Sequence, residues 1–281
     1  MKNRRLFSAW ALGCMILGGA ESALAVDGVV LIDQNRAIAG NVTPGDMPGF
    51  PVTISKAGSY RLSGNLTVPD ENTNVVEITV DNVSLDLNGF AILGPTVCSG
   101  SSLSCSPSGN GRGVNATGKS FISVVNGTIR GMGGAGIVTS SRSRVENMHV
   151  SSCGSNGISV ADAGNVSNNT ASLNGSTGII VGNGTVSNNT ATLNGFAGIF
   201  IGGTSTVSNN TATLNGSGGI SASFGAVVSN NSATGNTSYG LDLGPNVGYV
   251  NNVLTGNNGG GPEVGGGVQL GYNLCNGAFC P

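Results

Sequence analysis

The sequence predicts an all-β chain wound as a single-stranded right-handed parallel β-helix, with about 21 residues per coil and nine or ten coils. Three observations carry the prediction. A glycine recurs every 20 or 21 residues, at Gly136, Gly157, Gly178, Gly198, Gly219 and Gly240, and is always followed by an aliphatic residue. Two columns of asparagine keep the same register, Asn126, Asn147, Asn168, Asn188, Asn209, Asn230, Asn251 and Asn174, Asn194, Asn215, Asn236, Asn257. Apolar residues alternate over runs of three to five, as in Ile179, Ile180 and Val181. That period of two belongs to strands, and the Thr, Ser, Asn and Gly between the runs are poor helix formers.

Residues 1–25 read as a cleaved secretion signal. Lys2, Arg4 and Arg5 precede an apolar run from Leu6 to Leu17, and Ala23-Leu24-Ala25 supplies small residues for cleavage. The run is too short for a membrane span and is followed by Glu21. The remainder of a twin-arginine pattern is missing after Arg4-Arg5, and Ala11-Leu12-Gly13 before Cys14 is a poor lipobox. Secretion or a periplasmic location is the expectation, without stable insertion of the mature chain in a membrane. Residues 26–75 repeat less and are expected to form an N-terminal cap and first coil. Such a cap covers the apolar end and open backbone groups of a solenoid.

Residues 76–260 form the repeating body. DNVSLDLNGFAILG from Asp81 and VVNGTIRG from Val124 follow the strand logic of the later coils. A Gly/Ser-rich loop at 95–111 interrupts them. Ile179 and Ile199 are expected to face inward, with Asn115, Val138, Ser159, Ile180, Phe200, Ser221 and Asp242 forming an outward column. Asparagine suits both columns because it tolerates the left-handed conformation of sharp corners and can stack in side-chain ladders. Residues 261–281 are expected to close the rod as a last coil and stapled tail.

Once the signal is set aside, eight cations and twelve acids remain, and no lysine or arginine follows Arg144. That balance disfavours nucleic acid, which needs basic surface to displace counterions. The same segment keeps five cysteines. Export favours disulfides, Cys98–Cys105 across the loop and Cys275–Cys280 across the tail, leaving Cys153 as a small buried apolar residue. Free thiols are the alternative. A zinc site fits less well, because the close pairs lie far apart and His149 is the lone histidine. No metal or cofactor is expected.

LDLNG, NGTIRG and the NGI…V.NN repeats resemble the pectin-lyase-like superfamily of right-handed β-helices. They resemble most its periplasmic-copper-binding-type repeats and its carbohydrate-binding and sugar-hydrolase-type repeats. The resemblance covers about residues 76–260. It implies the fold, and it implies a range of polysaccharide lyases, hydrolases, epimerases and adhesins, whose sites usually lie on the outer face of one sheet. A hydrolase needs gathered carboxylates, and a lyase needs a cationic base with acids for calcium. The outward column holds one acid, Asp242, and no cation.

Charge gathers instead on the early coils, where repeat register sets Lys119 over Ser140, close to Arg142 and Asp162. With His149, these are the candidate catalytic residues. Phe200, Ile180 and Asp242 are the candidate ligand-binding residues, with Phe196 and Tyr239 near them. In-register Thr170-Ala171-Ser172, Thr190-Ala191-Thr192, Thr211-Ala212-Thr213 and Ser232-Ala233-Thr234 form a hydroxyl array. There the alanines, with Leu173, Leu193 and Leu214, are expected to face inward. The leading expectation is a non-catalytic module that associates with polysaccharide or a cell-surface glycan. The alternatives are a polysaccharide-active enzyme on the early coils and a structural or ice-binding surface built from the hydroxyl array.

Overall fold

The computed structural model describes residues 28–100 and 102–280. The signal segment 1–25 lies outside the described residues. The chain winds as a β-solenoid whose short strands stack in parallel into three faces, here called sheets A, B and C. Sheet A runs from Val52–Ile54 and Val76–Ile78 through Val114–Ala116 and the Ile137, Ile158, Ile179, Ile199 and Ile220 strands to Leu241–Leu243 and Val264–Gly266. Sheet B begins at Val30–Ile32 on Tyr60–Leu62, and sheet C at Leu66–Thr67 on Ile92–Leu93.

Sheet B stacks eleven layers, more than the nine or ten expected. The excess comes from the first seventy residues, whose strands Val30–Ile32 and Gly58–Leu62 enter the stack although their sequence does not repeat. Ten inter-layer steps of about 4.8 Å give a rod of about 48 Å. Before the first regular layers, Asp33 caps a short helix at Gln34–Ala39, accepting from the Arg36 N–H at 2.9 Å, and Ala37 is fully buried.

Inside the rod, one column of aliphatic side chains per strand position fills the core. Ile137, Ile158, Ile179, Ile199, Ile220 and Leu241 are fully buried in register. Each such side chain contributes about 1.5–3 kcal/mol relative to exposure.

Two asparagine ladders run beside this core. The first consists of Asn169, Asn189, Asn210, Asn231, Asn252 and Asn273, of which all but Asn273 follow a left-handed corner asparagine. The second consists of Asn174, Asn194, Asn215, Asn236 and Asn257. Asn189 shows the pattern. Its Oδ1 accepts from the backbone N–H and the Nδ2 of Asn169, both at 3.0 Å. Its Nδ2 donates to the Val166 carbonyl at 2.9 Å and to Asn210 Oδ1 at 3.0 Å. All four hydrogen-bonding valences of the amide are used.

The recurring glycine now has its reason. A Cβ at Gly178 or Gly198 would stand 2.6 Å from the Nδ2 of Asn194 or Asn215, so the glycine column makes room for the second ladder. That ladder ends on Glu263, whose buried carboxylate accepts from both the backbone N–H and the Nδ2 of Asn257. A carboxylate only accepts, so it terminates a chain of donors without needing a further partner.

At its other end the second ladder begins under Cys153, whose N–H donates to Asn174 Oδ1 at 3.2 Å. Cys153 is the free cysteine among the described residues and is fully buried. Burial pushes its thiol up to about 12. The thiol is therefore expected to resist iodoacetamide at pH 9 in the folded protein and to react within minutes in 6 M guanidinium, read by intact mass, because the thiolate is the nucleophile. The folded state holds this proton where the unfolded chain releases it. Stability from this group is intact below about pH 9 and declines as pH rises toward 12. Rapid alkylation of the native protein would place the thiol at the surface.

Candidate functional site

From the coil of Asn168 onward, the chain turns between sheets B and C, and again after C, by the same four-residue device. In Val186-Ser187-Asn188-Asn189 and in Ala191-Thr192-Leu193-Asn194 the first residue is buried and the second faces out. The third is left-handed, at φ +58° for Asn188 and +54° for Leu193. The fourth turns inward as a ladder asparagine. At the first corner the left-handed position is asparagine in every coil from Asn126 to Asn251. At the second it is occupied in turn by Gly131, Ser152, Leu173, Leu193, Leu214, Gly235 and Gly256.

Leu193 and Leu214 are therefore not inward residues, as alternation predicts. They are 45% and 54% exposed, because the left-handed residue breaks the period-two count at the corner. A left-handed non-glycine residue costs about 1–2 kcal/mol, and three leucines bear that cost on consecutive coils.

The inserted loop comes down on these leucines. Val97–Ser99 and Ser104–Ser106 pair as an antiparallel hairpin closed by the Cys98–Cys105 disulfide. The two sulfurs lie 3.6 and 3.8 Å from the Cys153 carbonyl oxygen, and Gly175 leaves room for Cys105 Sγ. Pinned there, the hairpin carries Gly100, Ser102 and Leu103 over Leu173, Leu193 and Leu214, enclosing a groove of about 450 Å³. A second disulfide joins Cys275 to Cys280 beside the last coil.

The candidate catalytic residues occupy two places. Lys119, Arg142 and Asp162 all lie at the corner between sheets A and B, on successive coils, and the Arg142 N–H donates to the Asp162 carbonyl oxygen at 2.8 Å. The charged groups of Arg142 and Asp162 go to different partners. The Arg142 guanidinium sits 5.5 Å from the centre of the Phe121 ring, and Asp162 Oδ1 accepts from Asn183 Nδ2 at 2.7 Å. The ion pairs among the described residues are Arg61–Asp86 and Arg144–Glu146, neither of which includes them. His149 is elsewhere, exposed on sheet C above Thr170.

The outward column of sheet A aligns Ile180 directly with Phe200, and Asp242 two layers beyond Phe200. Phe196 is exposed at the adjoining corner, and the Tyr239 ring packs over Gly265, the next layer after Asp242. The column also extends to an acid that the sequence reading left out of it. Glu77 lies next to Asn115 and accepts from its Nδ2 at 2.8 and 2.9 Å. Asn115 Oδ1 in turn accepts from Arg112 Nη1 at 2.7 Å. The missed signal was the 38-residue step from Glu77 to Asn115, which the inserted loop hides from a 21-residue register. Seven layers separate Glu77 from Asp242, about 34 Å at 4.8 Å per layer. Paired glycosidase carboxylates sit within about 10 Å, so these two cannot flank one glycosidic bond.

The four hydroxyl rows of sheet C align from Thr170 to Thr234. Among the described residues no three His, Cys, Asp or Glu side chains gather as a metal site, and no helix is long and apolar enough to cross a membrane.

No protein-family model matches the chain, and no curated protein matches it. Solved structures do. The A-module of the mannuronan C-5 epimerase AlgE4 from Azotobacter vinelandii superposes with a TM-score of 0.55 at 15% identity, over 74% of this chain and 72% of that one. The Dettilon tailspike protein gp208 superposes with a TM-score of 0.50 at 16% identity, over 72% of this chain, which spans 44% of the tailspike. At such identities the likeness is one of fold. The chain has the right-handed parallel β-helix fold.

Proposed function

We propose that this protein is an exported carbohydrate-associated β-helix that binds a polysaccharide or cell-surface glycan without transforming it. The observation that carries the reading is the outer column of sheet A. Ile180 and Phe200 stand side by side there as an apolar platform, with Asp242 about 10 Å further along. Apolar side chains of this kind pack against the C–H faces of sugar rings, and a carboxylate at the end of the run accepts from sugar hydroxyls. The carboxylates of the same column are too far apart to share one glycosidic bond. The two disulfides suit an oxidising compartment. The epimerase whose A-module shares this fold acts on mannuronan, which supports a carbohydrate setting.

The test uses purified protein and a panel of neutral and acidic polysaccharides. Bound fraction, new reducing ends and unsaturated uronate absorbance are recorded from the same samples. Retention without product is expected, and Phe200→Ala with Ile180→Ser is expected to weaken it about tenfold, the effect of losing about 1.4 kcal/mol of contact. Product that disappears in Lys119→Ala, Arg142→Ala or Asp162→Ala would make the protein an enzyme acting at the A–B corner.

A further inference from the structure

The groove under the disulfide hairpin has no role in the sheet A platform, which lies around the corner from it. Its floor is built at the expense of stability. The left-handed position of this corner is filled by glycine or serine on the coils to either side, and by leucine at Leu173, Leu193 and Leu214, where the hairpin tip overhangs. Strained residues that persist in a fold point to a use, and the substantial exposure of Leu193 and Leu214 shows that holding the hairpin is not the whole of it.

We propose that this groove binds a linear, uncharged glycan chain laid along the rod axis. The inference rests on the carbohydrate reading above and names a second site and a ligand class. Four features select that ligand. The floor repeats with the coil, so a polymer with its own repeat meets the same contacts at each step. Leucine side chains form an apolar floor, and the outward hydroxyls of Thr192 and Thr213, each next in sequence to a floor leucine, form a polar rail beside it. A sugar ring has that same division, apolar faces and hydroxyl edges.

The groove-lining residues carry no charge, and the chain has no lysine or arginine after Arg144, so a uronate polymer finds no counter-charge. A peptide finds no strand edge either. The floor N–H groups are already bonded between coils, Leu193 to Thr213 O at 3.1 Å and Gly195 to Asn174 O at 2.8 Å.

The experiment measures binding of cellohexaose, maltohexaose and mannohexaose by calorimetry and by leucine-methyl NMR, with hexagalacturonate and decanoate as the charged and aliphatic comparisons. The wild type is expected to bind a neutral hexaose, with shifts at Leu193 and Leu214. The double variant Leu193→Gly, Leu214→Gly is expected to bind at least tenfold more weakly. Glycine is native to this column at Gly235 and Gly256, so the variant keeps or raises its thermal midpoint, and lost binding is not lost folding. Unchanged affinity in that variant overturns the proposal, as does preferential binding of hexagalacturonate or decanoate. If Phe200→Ala abolishes glycan retention while the leucine variant retains it, the groove inference fails and the sheet A platform stands. If no glycan is retained at all, both readings fail.

Discussion

Asn215→Leu is expected to lower stability by at least ~4 kcal/mol, although the two side chains have similar shape. Asn215 Oδ1 accepts from the Asn194 N–H and Nδ2, at 3.1 and 3.0 Å. Its Nδ2 donates to the Ala191 carbonyl at 3.1 Å and to Asn236 Oδ1 at 2.9 Å. Leucine removes all four bonds where water cannot reach, since Asn194 and Asn236 are each 2% exposed. The Asn194 N–H loses its acceptor, while Asn194 Nδ2 keeps the Ala171 carbonyl and Asn236 Oδ1 keeps the Asn215 N–H. An unmatched buried polar group costs about 1–3 kcal/mol, and ladder neighbours are coupled, so the loss spreads to adjoining coils. The urea midpoint, read by circular dichroism, checks the prediction. Asn215→Asp is the informative companion, because it keeps the acceptor and removes both donors. A leucine variant within 1 kcal/mol of wild type would show that the ladder is incidental to stability.

Ile199→Asp is expected to have a still larger effect and to prevent recovery of folded protein. Ile199 is fully buried between Ile179 and Ile220 in the stack. A carboxylate there has no partner, and burial of an unpaired charge belongs to the small class of substitutions that cost more than ~4 kcal/mol. Phe200→Asp is the control. It lies one residue further on, on the outer face, and is expected to remain folded with a change of about 1 kcal/mol or less. Equal outcomes for the two variants, measured by soluble yield and thermal midpoint, would contradict the strand orientation.

Much of the fold was legible because a parallel solenoid writes its geometry into the chain repeatedly. The Gly-Ile step and the in-register asparagines each recur coil after coil, and strand alternation correctly separates buried Ile179 from outward Ile180. Alternation failed at Leu173, Leu193 and Leu214 for a local reason. A left-handed residue inserted at the corner reverses the count, so the side chain expected inside stands outside. The ladders were misassigned by one residue at the first corner for the same reason, since Asn188 turns the chain and Asn189 bonds within it.

The candidate site divides along the same line. Ile180, Phe200 and Asp242 share one column because strand register alone determines their placement. Lys119, Arg142 and Asp162 share a corner, but their side-chain partners, Phe121 for Arg142 and Asn183 for Asp162, could not be read from spacing.

By itself, then, the sequence determined the coil, its period, its core columns and the outward face, because these follow from backbone periodicity repeated many times. Tertiary structure alone decided where the 95–111 loop goes, that its hairpin rests on Cys153 and Gly175, and that it encloses three outward leucines. A loop has no period, and its path is set by contacts with coils from about fifty to more than one hundred residues further along the chain.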